Sequence, residues 1–389
     1  MDLDFTPEQK MLGEAASRFF AEQCPYHRVK ELEESEEGYD PRLWKKMADL
    51  GWLGMLFPEE YGGWAGQFTD ALILQEKMGA ACFPSPFFST VIQCGLLILE
   101  GGNEEQKRAL LEKVSSGDLI MALARYEEDG GESPSSIQME ASEKEGGYVL
   151  NGVKLFVADA NVAEKLIAVA RVVPGGITLF LVDANAPGVA CVKMPTVAKD
   201  NTCEVVFRDV RVGREAVIGT VGKGWELLES ISARATLAKC AEMLGACKAS
   251  IEMTASYAKE RVQYDRPIGS FQIIQHYMAN MLLAYDTSYN YLYKVGWMMD
   301  RGMDCVSEVS ALKACLNRSL LFITERAVQI HGAIGTTREC DIGLFYRRAK
   351  AWESAAGDTI HHLEKIASFI LDQGGASPSS APWREGGGF

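Results

Sequence analysis

Apolar residues recur at helical spacing in two long tracts, and a shorter tract between them alternates as strands do. In 307–331, Leu312, Leu316, Leu320, Ile323, Ala327 and Ile330 follow one another at intervals of three and four, which is one face of a helix. The stretch 271–299 has the same character, with Met278, Met281, Leu282, Tyr285, Tyr289 and Leu292. Near the N-terminus, TPEQKMLGEAASRFFAEQC opens with Thr6 as N-cap and Pro7 at the first helical position. DPRLWKKMADLG repeats that start at Asp40 and Pro41 and stops at Gly51. ALILQEKMGAACF and NEEQKRALLEKVSSG predict further helices.

From about residue 119 the period changes. GYVLNGVKLFV carries Asn151-Gly152 between apolar runs, which predicts a hairpin turning there. EKLIAVARVV, GITLFLVDA, GVACVKM and TCEVVFRDVRV read as strands separated by Gly, Pro, Asn and Asp. The fold class expected is mainly α with a central β domain. The division is an N-terminal helical domain at 1–118, a central β domain at 119–219, a C-terminal helical bundle at 220–372 and a flexible Gly/Ser/Pro-rich tail at 373–389.

Composition narrows the function classes. The 389 residues are 47% hydrophobic and 24% charged, an ordinary globular balance. A net charge of -14 repels nucleic acid, so no nucleic-acid partner is expected. No apolar run is long enough to span a bilayer, and MDLDFTPEQK does not read as a secretory leader. No membrane association and a cytoplasmic location are the expectation. Ten cysteines are scattered without a C-x-x-C pair, and His361 and His362 diverge by about 100° on a helix, so no metal site is expected. No Walker loop, no G-x-G-x-x-G after a strand and no G-x-S-x-G elbow is present.

Two segments are more specific: YAKERVQYDRPIGSFQIIQH at 257–276 and AVQIHGAIGTTRECDIGLFYRRAK at 327–350. Together with LNGVKLFVADANVAEKLIAVAR at 150–171 and GWLGMLFPEEYGG at 51–63, they resemble the acyl-CoA dehydrogenase family along nearly the whole chain. The resemblance implies an N-terminal helical domain, a small β-barrel or sheet domain and a C-terminal four-helix bundle. It implies FAD as cofactor, assembled in homo- or hetero-oligomers (dimers or tetramers) with part of each FAD bound by a neighbouring subunit. Its activity would be that of a flavin-dependent oxidoreductase acting on CH–CH groups, turning an acyl-CoA into the 2,3-enoyl-CoA. Electrons would pass to an electron-transfer flavoprotein.

By position, the resemblance assigns Arg261 and Gln263 to the FAD pyrophosphate. Tyr264, Ile268 and Gln272 fall near the adenylate, with Gln329, Gly332 and Ala333 closing over it. The guanidinium fork suits phosphate oxygens, and glycine permits close backbone approach. Where the family has A-L-T-E-P and W-x-T beside the flavin ring, this chain has ALARY at 122–126 and FVA at 156–158. Leu123, Ala124, Phe156 and Ala158 are left to offer backbone bonds and packing without threonine hydroxyls. The second glycine of the family's Q-x-x-G-G is Ala333, and the glycine after the aromatic residue is Asp265.

The family's reaction needs a carboxylate to remove the proton α to the thioester. The usual position falls on Ala356, and the position used by a minority of members falls on Ala235. Three readings follow. Another acid serves, Asp358 being preferred over Glu229 and Glu353, although Asp358 also suits the N-cap of DTIHHLEKIASF. Alternatively, the chain is the non-catalytic subunit of a heteromeric acyl-CoA dehydrogenase. In the third reading it binds acyl-CoA without desaturating it, the small residue leaving room for a bulky or cyclic acyl group.

Overall fold

The computed structural model describes residues 4–144 and 146–373. The expected flexible tail, 373–389, lies outside the described residues apart from Gln373. Six helices come first: α1 (Pro7–Gln23), α2 (Tyr26–Glu33), α3 (Pro41–Asp49), α4 (Phe68–Ala80), α5 (Leu96–Gly101) and α6 (Glu104–Ser115). Their starts follow local chemistry. Thr6 and Gln9 form a reciprocal capping box on α1, Asp40 accepts the Arg42 amide on α3, and Asn103 pairs with Gln106 on α6. Between α4 and α5 lies a π-helical segment, Phe88–Gly95, which the periodicity did not announce.

Eight strands follow: β1 (Met121–Ala124), β2 (Glu140–Lys144), β3 (Gly147–Ala158), β4 (Lys165–Val172), β5 (Gly176–Asp183), β6 (Val189–Lys193), β7 (Thr202–Gly213) and β8 (Val217–Ile218). They form one open sheet in the order β6-β7-β3-β2-β4-β5-β8, with β1 parallel to β4 in the register Leu123↔Ile167 and Ala124↔Ala168. The hairpin expected at Asn151-Gly152 is not there. β3 runs straight through both residues, and the β2–β3 turn lies between Lys144 and Gly147. Asn151-Gly152 instead makes a bulge against β7, where the side chain of Asn151 exchanges bonds with Asp209 at 2.8 and 3.2 Å. Only glycine fits at 152, because a Cβ there would meet Met139 Cγ at 2.7 Å. The Asn-Gly pair signals special backbone geometry, and here that geometry is a bulge.

The C-terminal part opens with α7 (Gly224–Glu260), then a tight hairpin of β9 (Val262–Gln263) and β10 (Arg266–Pro267). It continues with α8 (Gln272–Asp300), α9 (Val306–His331), α10 (Ile342–Ser354) and α11 (Thr359–Gln373). The stripe Leu312, Leu316, Leu320, Ile323, Ala327 and Ile330 of α9 is buried throughout. α7 is buried nearly all round through its middle, from Leu237 to Cys247, because α4 packs on one side and α9 on another. The α4–α7 crossing is close: a Cβ on Gly245 would lie 1.8 Å from the Glu76 carbonyl, and one on Gly79 1.8 Å from the Glu242 carbonyl. The core is continuous across all three parts.

Candidate active site

A cavity opens where the β sheet, the first third of α7 and the α10–α11 junction meet. Ala235 of α7 and Ala356 of the junction both line it. The two positions at which the resemblance places a base therefore share one cavity, and both present a methyl group.

The junction is held from below. Lys313 of α9 is fully buried, and its Nζ donates to Asn317 Oδ1 at 2.6 Å and to the carbonyls of Trp352, Glu353 and Gly357 at 3.2, 3.1 and 3.1 Å. Those carbonyls end α10 and would otherwise lack partners. Burial lowers the Lys313 pKa to about 8. Beyond the cavity wall, His362 Nε2 donates to the Ala356 carbonyl at 2.8 Å, and burial pulls its pKa down to about 4. Ala356 itself has φ 59, a left-handed conformation that a non-glycine residue adopts only under constraint.

Asp358 is not brought into this cavity. It is exposed, and its Oδ1 accepts the His361 amide at 2.8 Å as the N-cap of α11. Glu353 contributes its backbone carbonyl to Lys313, and its side chain does not line the cavity either. The lining carboxylates are Glu132 and Glu229. Glu229 is exposed and accepts the Trp225 indole N–H at 2.8 Å. Glu132, on the loop between β1 and β2, is enclosed. One oxygen accepts Arg125 Nη2 at 2.5 Å and the other the Tyr126 hydroxyl at 2.6 Å. The Arg125 guanidinium lies 5.1 Å from the Tyr126 ring and 5.0 Å from that of Trp225. Lys365 and His361 of α11 reach the same space. The room vacated by two alanines is thus taken up by charged and aromatic side chains, leaving about 80 Å³. Glu132, Trp225 and Lys365 were not singled out from the sequence: no spacing connects a loop after β1, the start of α7 and the middle of α11.

The residues assigned to the flavin ring come together beside this cavity. Leu123 lines it, and the Leu155 amide bonds to the Tyr126 carbonyl at 2.9 Å, tying the end of β1 to β3, where Phe156 and Ala158 sit. Phe156 has φ 55 and is 55% exposed, an aromatic ring held out on the surface. The π-helical segment fixes this corner. Thr90 Oγ1 bonds both backbone groups of Met121 at 3.0 Å, Ser89 donates to buried Asp159 at 2.6 Å, and Gln93 lines the cavity. Burial raises the Asp159 pKa to about 7.

The residues assigned to the pyrophosphate and adenylate gather at the opposite end of α7. Arg261 is its C-cap, Gln263 lies on β9, Ile268 just after β10 and Gln272 at the start of α8; Gln329, Gly332 and Ala333 end α9. Tyr257 and His331 bring the two helix ends together, their rings stacked at 4.3 Å. Tyr264 and Asp265 both have positive φ (52 and 61), the left-handed pair of a two-residue hairpin turn, and Tyr264 is 88% exposed. The Arg261 guanidinium has no partner among the described residues, and a Cβ on Gly332 would meet nothing within 4 Å. A free guanidinium, an open glycine corner and exposed aromatic rings at both ends fit a dinucleotide cofactor.

Among the described residues no helix is long and apolar enough to cross a membrane. Sequence profiles of the acyl-CoA dehydrogenase N-terminal, middle and C-terminal domains match residues 6–118, 122–210 and 222–371. The mitochondrial 2-methylacyl-CoA dehydrogenase of Solanum tuberosum is 32% identical over 360 residues, covering 90% of this chain and 87% of that protein. Among solved structures, butyryl-CoA dehydrogenase from Megasphaera elsdenii superposes with a TM-score of 0.89 at 26% identity, covering 95% of this chain and all of that one. A chain of the ChsE4–ChsE5 complex from Mycobacterium tuberculosis shares the fold, with a TM-score of 0.87 at 24% identity over 97% and 100% of the two chains.

Proposed function

The chain belongs to the acyl-CoA dehydrogenase family, and from that premise we propose that it takes part in FAD-dependent oxidation of an acyl-CoA to the 2,3-enoyl-CoA, as one subunit of an oligomer that hands its electrons to an electron-transfer flavoprotein. The observation that carries the reading is the pairing of a polar cavity with two cofactor-like surfaces at the two ends of α7. Leu123, Ala124, Phe156 and Ala158 would hold the flavin ring. Arg261, Gln263, Tyr264, Ile268, Gln272, Gln329, Gly332 and Ala333 would hold the pyrophosphate and adenylate. When bound, the flavin supplies acceptance of the hydride from the acyl β carbon.

The division of labour between subunits follows from length. Arg261 lies 26 residues beyond Ala235 on the same helix, roughly 39 Å at 1.5 Å per residue. One extended dinucleotide does not reach from the cavity to Arg261, so the two surfaces of one chain serve two cofactors, each completed by a neighbouring subunit. Val262, Tyr264, Ile273, Leu282 and Leu283 are exposed on this side, an apolar surface of the kind a second subunit covers.

The chain's own residues fix the reacting corner. Lys313 and His362 hold the backbone around Ala356, and the π-helical segment holds β1 against β3. Without threonine hydroxyls at 124 and 158, backbone groups of Leu123, Ala124 and Ala158 would carry the ring contacts.

A second reading is the non-catalytic subunit of a mixed complex, or an acyl-CoA-binding protein without desaturation. The observation favouring it is that Ala235 and Ala356 share the cavity while Glu132 is committed to Arg125 and Tyr126. Anaerobic mixing of the FAD-loaded chain with butyryl-CoA separates the two. Bleaching of the flavin supports turnover by this chain. A bound flavin that no acyl-CoA bleaches supports the second reading.

A further inference from the structure

We infer that the cavity recognises an acyl group bearing a carboxylate, and that Arg125 is the residue that reads it. The inference rests on the reading of the cavity as an acyl-thioester site.

The argument is a balance of donors, acceptors and charge. Both oxygens of Glu132 are already engaged, by Arg125 Nη2 and by the Tyr126 hydroxyl. A guanidinium carries five N–H donors, and Arg125 Nε is buried without an acceptor. Lys365 reaches the same cavity, and its ammonium has no hydrogen-bond partner among the described residues. Glu229 is exposed and holds the Trp225 indole, so it does not offset these donors inside. The enclosed groups are therefore Arg125 and Lys365 against Glu132, one positive charge in excess and several donors over.

Such a site is unfavourable when filled by hydrocarbon, because the unpaired donors then lose water and gain nothing. One ligand carboxylate supplies both the charge and the acceptor lone pairs, in the planar geometry a guanidinium matches. The Tyr126 and Trp225 rings lie against Arg125, which restrains the guanidinium in advance of binding. About 80 Å³ is a few times the share of one water molecule in the liquid, about 30 Å³, so the site suits a short polar terminus rather than a long chain.

The test compares two thioesters that differ only at the far end. Glutaryl-CoA carries a terminal carboxylate; 5-methylhexanoyl-CoA carries an isopropyl group in its place. Each is titrated by calorimetry into the full chain with FAD added, beside Arg125→Met and Lys365→Met variants whose folding is checked by circular dichroism. Glutaryl-CoA is expected to bind the unmodified chain at least about tenfold more tightly, the effect of one charge-assisted hydrogen bond or more. Arg125→Met is expected to abolish that preference while leaving the isostere's affinity within about twofold, and Lys365→Met to reduce it. Equal binding, or tighter binding of the isostere, overturns the inference and leaves the acyl-CoA reading standing. Equal weakening of both ligands by Arg125→Met also overturns it, since the guanidinium would then serve the coenzyme portion they share. Binding of neither thioester overturns both this inference and the acyl-site reading. If Arg125→Met does not fold, the comparison in the unmodified chain and in Lys365→Met decides.

Discussion

Ala235 of α7 and Ala356 of the α10–α11 junction line the same cavity from two different elements. Each is a place where the family puts its general base, and neither carries one.

The vacancy can be filled. Ala356→Glu places a carboxylate in a cavity that already holds Arg125 and Lys365 as counter-charges. With FAD bound, flavin reduction by butyryl-CoA is expected to rise about 10²- to 10⁴-fold, the usual contribution of a positioned base. Stopped-flow absorbance under anaerobic conditions reads it. No change, with folding and flavin content intact, would show that position 356 is not where the α proton is taken.

Lys313 is the support under that position. Lys313→Met leaves Asn317 and three backbone carbonyls without their donor. At about 1–3 kcal/mol for each buried group left unpaired, partly relieved by relaxation, a loss of about 3 kcal/mol is expected. Urea denaturation measures it. A loss below about 1 kcal/mol would mean that water replaces the ammonium without strain.

His362 makes stability depend on pH in a defined direction. Burial depresses its folded pKa to about 4 from an ordinary 6.5, with Lys313, His361 and Lys365 adding repulsion. Between those values the unfolded chain binds a proton that the folded chain refuses. Its contribution is therefore complete above pH 6.5 and is lost as pH falls toward 4, about 3 kcal/mol in all. His362→Gln, which retains a donor for the Ala356 carbonyl, is expected to flatten the stability–pH curve over that window. A curve unchanged by the substitution would count against the assignment.

The α4–α7 crossing is set by two glycines. Gly245→Ala would bring a methyl group to 1.8 Å from the Glu76 carbonyl, which forces the helices apart. A destabilisation of at least about 2 kcal/mol is expected, visible as a lowered Tm. A neutral result would mean that the helices separate at little cost.

Much of this was legible in the chain. Thr6, Asp40 and Asn103 announced their helices because a cap acts on its own neighbours. The α9 stripe was readable because one face of one helix is enough to show it. Asn151-Gly152 misled because the same backbone freedom serves a turn and a bulge, and only the partner strand β7 decides between them. The π-helical segment has no period of its own to read. The cavity was half legible. Its two alanines could be counted to, but the Arg125–Glu132–Tyr126 cluster depends on how a loop folds back across the start of α7. Asp358 had two chemically sound roles in sequence, and the backbone of α11 claims it as a cap.

The most direct test of the account is the absorbance spectrum of the chain purified alone, before and after incubation with FAD and removal of the excess, with protein quantified independently. The account predicts a yellow protein with about one flavin per chain, and an Arg261→Ala variant that folds but loses most of it, since the pyrophosphate would lose its charge-assisted pair. A chain that folds, assembles and stays colourless with FAD in excess would contradict it.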